Sequence, residues 1–392
     1  MNVLHFGAGN IGRAFIGKSI LQSGFNLTFT DINQNIIDAL NYYKQYNVKL
    51  VGYNHEEIIS VNNFRTINLN NPRIFNVISD MNLITTAIGA SSLDRIALIL
   101  EKGIMLKIKL KSKIPLNIIA CENKIQASSY LKKIIFKKIS VKYHEYLNEH
   151  IGFIDCSIDT IVPSISSFEQ NSLSLVAENF QEWIVNQKQF KGTIPNIMNM
   201  TISNNLKSFI DRKIFTLNTG HAIAAYLGWI KHHKTIYHSI KDNDIKDIVY
   251  GAMKESGLTL IKKYNFNQNS HFSYINKILI RFQNPCLLDR IERIARNPLQ
   301  KLKKDERLMK PFLLAKKYNF SYDNLIKGIA AALYYRNKND SESMQINSLI
   351  KKFGIKQTLS KIPNLQLDSQ EIDLIVLEYT SINNIFSKEI YN

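Results

Sequence analysis

The chain has few cysteines. Only three occur in 392 residues, Cys121, Cys156 and Cys286, and no two of them form a Cys-x-x-Cys pair. An odd number of widely separated cysteines argues against a disulfide framework and is typical of proteins that work in a reducing compartment.

Long hydrophobic runs are also missing. The sequence contains no stretch of about eighteen apolar residues, the length that a membrane-spanning helix requires. The first residues lack the basic segment, apolar stretch and small-residue cleavage site of a secretory signal. We therefore expect a cytoplasmic protein without a membrane partner.

Side chains that bind metals are rarely grouped in this sequence. His232, His233 and His238 form its histidine cluster, and they lie in a lysine-rich segment without cysteine partners. A solvated surface explains such a cluster better than a metal site does, so we expect no bound metal.

The chain has fewer acidic residues than basic ones. The chain has 32 Asp and Glu against 50 Lys and Arg, which gives a net charge of +18. This excess suggests a nucleic-acid-binding protein as one hypothesis. However, the basic runs at 107–113 and 301–304 carry no zinc-finger spacing, no aromatic RNA-binding motif and no heptads. Lysine, asparagine and isoleucine are abundant throughout, so we interpret the charge mainly as composition on solvated faces, part of which can steer an anionic substrate.

Three glycines follow the first predicted strand. Gly7, Gly9 and Gly12 form the pattern Gly-x-Gly-x-x-Gly between the apolar run Asn2 to Phe6 and a helical pattern. In a dinucleotide-binding turn, the first glycine permits the tight turn, the second admits the pyrophosphate, and the third lets the helix pack on the strand. The phosphates then lie on free amides at the helix N-terminus.

Asp31 supports this interpretation. It lies nineteen residues beyond Gly12, at the end of the next predicted strand. An acid there hydrogen-bonds the ribose 2′-hydroxyl and repels a 2′-phosphate, which favours NAD over NADP. The alternative is a tight turn followed by an ordinary turn aspartate. The residues that we expect to form the cofactor site are Val3, Leu4, His5, Phe6, Gly7, Ala8, Gly9, Asn10, Ile11, Gly12, Arg13, Ala14 and Asp31.

Length and hydrophobic pattern indicate two domains. A chain of 392 residues exceeds what one hydrophobic core usually supports. Strand and helix patterns alternate in the first half, whereas long segments after about Asn204 have helical periods. We therefore predict an α/β protein with a Rossmann-like NAD-binding domain at 1–191, built on a doubly wound parallel sheet. A mostly α-helical domain at 192–392 would bind substrate and carry the catalytic residues.

The segment from Lys213 to Ile223 contains a candidate catalytic group. On an α-helix of about 3.6 residues per turn, Lys213, His221 and Asn218 lie at roughly 0°, 80° and 140°, within one arc. A lysine can accept the proton of an alcohol, an amide can donate to the oxygen as it gains charge, and an imidazole can orient that oxygen. The alternative is a solvated lysine, a helix break and a core histidine. A nicotinamide site elsewhere in the chain favours the catalytic interpretation.

The pattern Lys213-x4-Asn218-x2-His221 resembles the signature of the polyol-specific long-chain dehydrogenases and reductases, the mannitol dehydrogenase family. Other resembling stretches are 4–13, 117–123, 182–185, 190–192, 215–222 and 251–257. Together they cover the chain nearly from end to end, and long matches of this kind are specific.

The resemblance implies a metal-independent reaction that interconverts mannitol 1-phosphate and NAD with fructose 6-phosphate and NADH. Lys213 would be the base in oxidation and the acid in reduction, Asn218 and Asn123 would hold the reacting oxygen, and His221 would orient the substrate. For Asn123, the alternative is a turn residue after a buried strand. A free polyol or a hexuronate remains the alternative substrate. We expect a small-molecule partner, no nucleic acid, and a monomer or small homo-oligomer.

Three positions depart from the pattern of the family. Ala14 replaces a glycine, Thr160 an arginine before Ile-Val-Pro, and Gln300 an arginine in the Pro-Leu-x-Lys-Leu segment. Two cationic side chains are therefore missing from regions that could help to bind a phosphate. The basic residues that remain as candidates, or as solvated helix charges, are Arg296, Lys301, Arg307 and Lys310.

Overall fold

The computed structural model describes residues 1–52, 56–163, 173–287, 289–362, 365 and 367–389. The chain divides into two compact units, Met1–Leu206 and Lys207–Asn392. Residues 192–206 lie with the first unit, since strand Met200–Ser203 pairs with Glu182–Asn186. This division is 15 residues beyond the predicted domain junction.

The first unit contains twelve described strands in three sheets. They are β1 Asn2–Phe6, β2 Asn26–Asp31, β3 Gln45–Val51, β4 Glu56–Asn62, β5 Phe64–Asn68, β6 Leu83–Thr86, β7 Leu116–Ala120, β8 Ile151–Phe153, β9 Cys156–Asp159, β10 Leu175–Glu178, β11 Glu182–Asn186 and β12 Met200–Ser203. The main sheet has the order β5-β2-β1-β6-β7-β8 and all its pairs are parallel. Counted along the chain, this is the order 3-2-1-4-5-6 of a doubly wound nucleotide-binding fold, which confirms the predicted fold class.

Apolar side chains cover both faces of the main sheet. Along β1, Val3 belongs to one buried cluster while Leu4 and Phe6 belong to another, because successive strand residues point to opposite faces. All five residues of β7 are buried. Such continuous burial is typical of a parallel sheet between two helix layers. The helices of this unit are α1 Lys18–Gln22, α2 Gln34–Tyr43, α3 Ile74–Ser79, α4 Leu93–Lys109, α5 Ala127–Lys138 and α6 His144–His150.

The two small sheets involve the remaining strands. One has the order β10-β3-β4 and the other the order β12-β11-β9. Trp183 of β11 is fully buried and packs edge-on against Phe15, whose ring centroid lies 6.3 Å away. The segment after the glycine turn is thereby covered by strands that come much later in the chain.

Helices make up the second unit. They are α7 Leu206–Arg212, α8 Thr219–Ile230, α9 Ile236–Lys241, α10 Asn243–Tyr264, α11 Gln268–Phe282, α12 Ile291–Ala295, α13 Pro298–Lys301, α14 Met309–Lys317, α15 Asp323–Tyr334, α16 Ser341–Lys361 and α17 Ser369–Glu389. No helix in the described ranges is both long enough and apolar enough to cross a membrane.

Helix α8 is the centre of this unit. It packs against α9, α10, α12 and α15, and ten of its residues are buried. Small residues permit the close packing: a Cβ on Gly220 would lie 2.7 Å from the sulfur of Met253, and one on Gly228 would lie 1.9 Å from Oγ of Ser239. The Thr-Gly-His sequence is therefore also a packing motif.

Candidate active site

The glycine turn lies at the carboxyl ends of β1 and β6, where the strand order of the main sheet reverses. Gly7 has φ +102°, and a Cβ on it would lie 2.4 Å from the carbonyl oxygen of Ala87. A Cβ on Gly12 would lie 1.9 Å from the carbonyl oxygen of Gly7. A Cβ on Gly9, in contrast, would have no neighbouring atom within 4 Å and would face open space. The first and third glycines thus shape the turn, while the second leaves room for a ligand beside the backbone.

Only part of the predicted cofactor segment reaches the surface. Gly9, Asn10 and Ile11 are partly exposed, whereas the residues from Val3 to Ala8 and from Gly12 to Ala14 are buried. The buried residues support the turn from its interior side. Arg13 is 4% exposed, its Nε donates to the carbonyl oxygen of Ala8 at 2.8 Å, and its guanidinium also donates to Leu173.

Asp31 is joined to the turn by its carboxylate. Oδ2 accepts from the amide of Ala8 at 2.8 Å, and Oδ1 accepts from the amide of Asn33 at 2.9 Å. The side chain is half-buried, and the next residue, Ile32, is 47% exposed. Each carboxylate oxygen can accept a further hydrogen bond, so a ribose with free hydroxyl groups fits beside it.

His5 is a structural link rather than a surface group. It is fully buried, and Nδ1 lies 2.7 Å from Oγ1 of Thr85 on β6. Burial lowers the pKa of His5 to about 3, because the charged imidazolium would lose its hydration. The side chain is therefore neutral and connects β1 to β6.

Glu122 joins the ends of β6 and β7, and sequence reasoning gave it no role. Oε1 accepts from Oγ1 of Thr86 at 2.7 Å and from the amide of Ile88 at 2.9 Å, while Oε2 accepts from the amide of Gly89 at 2.9 Å. Asn123 follows it and is exposed at the carboxyl edge of the sheet. The available signal was an acid directly after a buried strand.

Lys213 and Asn218 lie in a π-helical segment, Lys213–Asn218, between α7 and α8. Hydrogen bonds in a π-helix join residues five apart, so these two residues lie about one turn apart on one side of the segment. The α-helical angles assumed from the sequence do not apply here. Both side chains are half-buried.

Other helices hold the π-helical segment in place. Oγ of Ser256, on α10, donates to the carbonyl oxygen of Phe215. Oγ1 of Thr219 lies 3.3 Å from the carbonyl oxygen of Ile214. The hydroxyl of Ser256 satisfies a backbone carbonyl that an uninterrupted α-helix would pair internally. The resembling stretch 251–257, which contains Ser256, thus supports the segment that carries Lys213.

His221 is oriented by two contacts from distant parts of the chain. Its Nε2 lies 3.2 Å from Oδ2 of Asp289, and its ring stacks on Phe282 with centroids 5.0 Å apart. Arg293 also pairs with Asp289. Burial disfavours the charge of Asp289, but His221 and Arg293 outweigh that effect and lower its pKa. Nothing in the sequence pointed to Asp289.

The candidate phosphate partners have different environments. Lys301 is 7% exposed, so it is not a solvated helix charge. Lys310 is 2.7 Å from Oδ1 of Asp305 in an ion pair, and Arg307 is 3.5 Å from Oε2 of Glu306. At the two departures from the family pattern that remove a cation, Gln300 donates to Glu306 at 3.1 Å, and the hydroxyl of Thr160 is buried without a hydrogen-bond partner in the described chain.

Of the histidine cluster, His232 and His233 lie in the turn after α8, and His238 lies in α9. His238 pairs with Oγ1 of Thr235 at 2.7 Å, and Nε2 of His233 is 3.7 Å from Asp242. Among the described residues, no group of three or more His, Cys, Asp or Glu side chains is placed to hold a metal ion.

Comparison with protein families gives two adjacent matches. Residues 1–199 match the mannitol dehydrogenase Rossmann domain, and residues 205–382 match the mannitol dehydrogenase C-terminal domain.

Two curated relatives from bacteria have the same name, mannitol-1-phosphate 5-dehydrogenase. The one from Buchnera aphidicola subsp. Schizaphis graminum (strain Sg) is 60% identical over 383 residues, covering 97% of this chain and 99% of the relative. The one from Buchnera aphidicola subsp. Baizongia pistaciae (strain Bp) is 48% identical over 391 residues, covering 99% of each chain.

Two solved structures share the fold. A substrate-free D-sorbitol dehydrogenase has a TM-score of 0.84 at 14% identity and covers 98% of this chain and 93% of its own. A Pseudomonas fluorescens mannitol 2-dehydrogenase, solved with NAD and D-mannitol, has a TM-score of 0.70 at 12% identity. The match covers 100% of this chain and 94% of the mannitol 2-dehydrogenase chain.

The glycine geometry predicts opposite outcomes for two alanine substitutions. Gly9→Ala should leave the stability of the protein nearly unchanged but weaken NADH binding, because the methyl group occupies space next to the turn. Gly12→Ala should lower the thermal unfolding temperature, because the backbone carbonyl of Gly7 must move. Calorimetric unfolding and NADH titration measure the two effects. Equal stability of the two variants would contradict this account of the turn.

The lowered pKa of Asp289 predicts that its carboxylate contributes to the stability of the fold in a pH-dependent way. Its pKa is lowered in the folded state, so its contribution is complete above the unfolded value of about 3.9 and is lost as pH falls through the lowered value. Asp289→Asn should cost about 1–3 kcal/mol at pH 6. This difference in unfolding free energy, measured with urea, should shrink below pH 4. Asp247→Asn, at an exposed position of α10, is the control and should show no such trend. A difference that grows on acidification would contradict the sign.

Proposed function

The chain belongs to the mannitol dehydrogenase family, and from this premise we propose that it interconverts mannitol 1-phosphate and fructose 6-phosphate by hydride transfer with NAD. The observation that carries the proposal is 60% identity over 97% of the chain to a curated mannitol-1-phosphate 5-dehydrogenase. Oxidation of mannitol 1-phosphate at C5 yields a 2-ketose that bears its phosphate on the far terminal carbon, which is fructose 6-phosphate.

NAD fits the residues around the glycine turn. The open space at Gly9 admits a pyrophosphate beside the backbone. The carboxylate of Asp31 accepts hydrogen bonds from ribose hydroxyl groups and would repel the 2′-phosphate of NADP. Bound at this site, NAD would supply the hydride acceptor for oxidation of the alcohol carbon, and NADH would supply the hydride for reduction. We assign the cofactor contacts to Gly9, Asn10, Ile11 and Asp31.

Lys213 acts as the base in the proposed mechanism. It takes the proton of the C5 hydroxyl as hydride leaves that carbon, and it returns the proton to the ketone oxygen in reduction. Asn218, about one π-helical turn away, donates a hydrogen bond to the same oxygen as its charge changes. Asn123 provides a second amide for that oxygen.

His221 orients the substrate alcohol. The contact between Nε2 and Asp289 favours the tautomer that carries its proton on Nε2, which leaves Nδ1 as the acceptor for a substrate hydroxyl. Stacking on Phe282 limits rotation of the ring. In this assignment Asp289 is a positioning residue, because it acts through His221.

We also propose that the enzyme is cytoplasmic, acts as a monomer or small homo-oligomer, and has no nucleic-acid partner.

A substrate panel tests the proposed function. The purified protein is mixed with NADH and, separately, with fructose 6-phosphate, fructose or a hexuronate, while NADH absorbance is followed. We expect oxidation of NADH with fructose 6-phosphate and much slower oxidation with the other two. Turnover of only an unphosphorylated substrate would refute this choice. Salt-sensitive DNA binding without any turnover would favour the nucleic-acid hypothesis instead.

Removal of the base has a defined kinetic effect. Lys213→Ala should lower kcat for fructose 6-phosphate by at least about 100-fold, since general acid–base catalysis typically contributes 10²–10⁴-fold. The NADH dissociation constant should stay within about twofold, because Lys213 lies in the second unit. Lys207→Ala, which removes a lysine with a 72% exposed side chain from the preceding helix, is the matched control and should keep full activity. Retained turnover in Lys213→Ala would remove this lysine from the mechanism.

A further inference from the structure

Lys301 is a buried cation in a cationic environment. It is the last residue of α13 and is 7% exposed. Its ammonium group donates to the carbonyl oxygen of Arg296 and lies 5.9 Å from the ring centroid of Tyr226. Burial, followed by the charge of Arg307 and that of Arg296, lowers the pKa of Lys301 to about 8. A buried ammonium group near two guanidinium groups is stabilised when an anion binds beside it.

Two carboxylates in this region accept hydrogen bonds from backbone amides and offset part of the positive charge. Asp340 accepts from the amide of Asn297 at 2.8 Å and also caps α16. Glu342 accepts from the amide of Gln300 at 2.9 Å. Both carboxylates are therefore occupied with backbone amides of the segment. With Glu306, which lies 3.5 Å from Arg307, the region holds three carboxylates against three cations, so Lys301 is set apart by its burial and not by an excess of positive charge.

The segment from Arg296 to Arg307 is fastened to the helix that follows the proposed base. At one end, the hydroxyl of Tyr226 donates to the carbonyl oxygen of Ala295 at 2.9 Å. At the other end, Oγ1 of Thr219 donates to the carbonyl oxygen of Arg307 at 2.7 Å. Thr219 directly follows Asn218, so the second bond places Arg307 next to the proposed catalytic segment. The side chain of Arg307 is 30% exposed and can reach a ligand.

We propose that Lys301 and Arg307 form the subsite that binds the phosphate group of the substrate, an inference that rests on the proposed function. The ligand chemistry is that of a phosphate monoester dianion. Arg307 offers a planar set of donors to the phosphate oxygens, and Lys301 offers a point charge from a buried position.

This subsite also accounts for the change at position 300. The side chain of Gln300 donates to Oε1 of Glu306 at 3.1 Å and is thus directed to an acid. Lys301 and Arg307, which follow it in the chain, retain their charges, so phosphate recognition does not depend on a cation at position 300.

Equilibrium binding tests the subsite independently of turnover. Isothermal titration in the presence of NAD, which cannot reduce a ketone, measures the affinity for fructose 6-phosphate, fructose and inorganic phosphate. Lys301→Met should weaken fructose 6-phosphate binding roughly 10- to 100-fold, the effect of losing a charged hydrogen-bond donor. Arg307→Gln should weaken it similarly. The affinity for fructose should not change. In neither variant should inorganic phosphate compete with fructose 6-phosphate for binding.

Lys303→Gln is the matched control, because Lys303 is an exposed lysine of the same segment. It should leave all three affinities unchanged. Unchanged fructose 6-phosphate affinity in Lys301→Met and Arg307→Gln, or an equal loss for fructose, would overturn the subsite. Arg307→Gln changes a partly exposed residue and keeps the test valid if Lys301→Met fails to fold. Wild-type protein that binds phosphate through Lys301 but does not reduce fructose 6-phosphate would refute the proposed function and leave the subsite standing.

Discussion

The contact between Gly12 and the carbonyl oxygen of Gly7 is the constraint on which the dinucleotide site depends. A Cβ at Gly12 would lie 1.9 Å from that oxygen, so only glycine lets the helix begin this close to β1. This approach places Gly9 in open space and the amide of Ala8 within 2.8 Å of Asp31. Backbone atoms that a ligand can reach, and the acid proposed to select its ribose, are therefore positioned by one missing side chain.

Two segments next to the proposed site are π-helical. One is Gly12–Gly17, directly after the turn, and the other is Lys213–Asn218. Short π-helical turns are rare and often occur at functional sites, because they move side chains out of α-helical register. Side chains from elsewhere in the chain pack on both. Trp183 covers Phe15 in the first segment, and Ser256 binds the carbonyl group of Phe215 in the second.

The main strands were predictable because their signal is local. Strands β1, β2, β6 and β7 are compact apolar runs, and β1 and β2 flank a glycine turn with a recognisable spacing. Strand β5 differs, since four of its five residues are only partly buried and one is exposed, and asparagines flank it. Its place at the edge of the sheet results from pairing with β2. Residue pattern alone does not reveal such a strand.

The residues of the candidate site also fall into those that a local sequence pattern predicts and those that only folding brings together. The glycine turn with Asp31 and the family follow from the sequence alone, because they depend on a recognisable motif, and the catalytic grouping of Lys213, Asn218 and His221 stays a prediction. Only the tertiary structure decided that Glu122 links two strand ends, that Asp289 faces His221, and that Lys301 is buried. The physical reason is that hydrogen bonding, charge pairing and burial depend on distance in space. Asp289 is 68 residues from His221 in the chain, yet its carboxylate lies 3.2 Å from the imidazole.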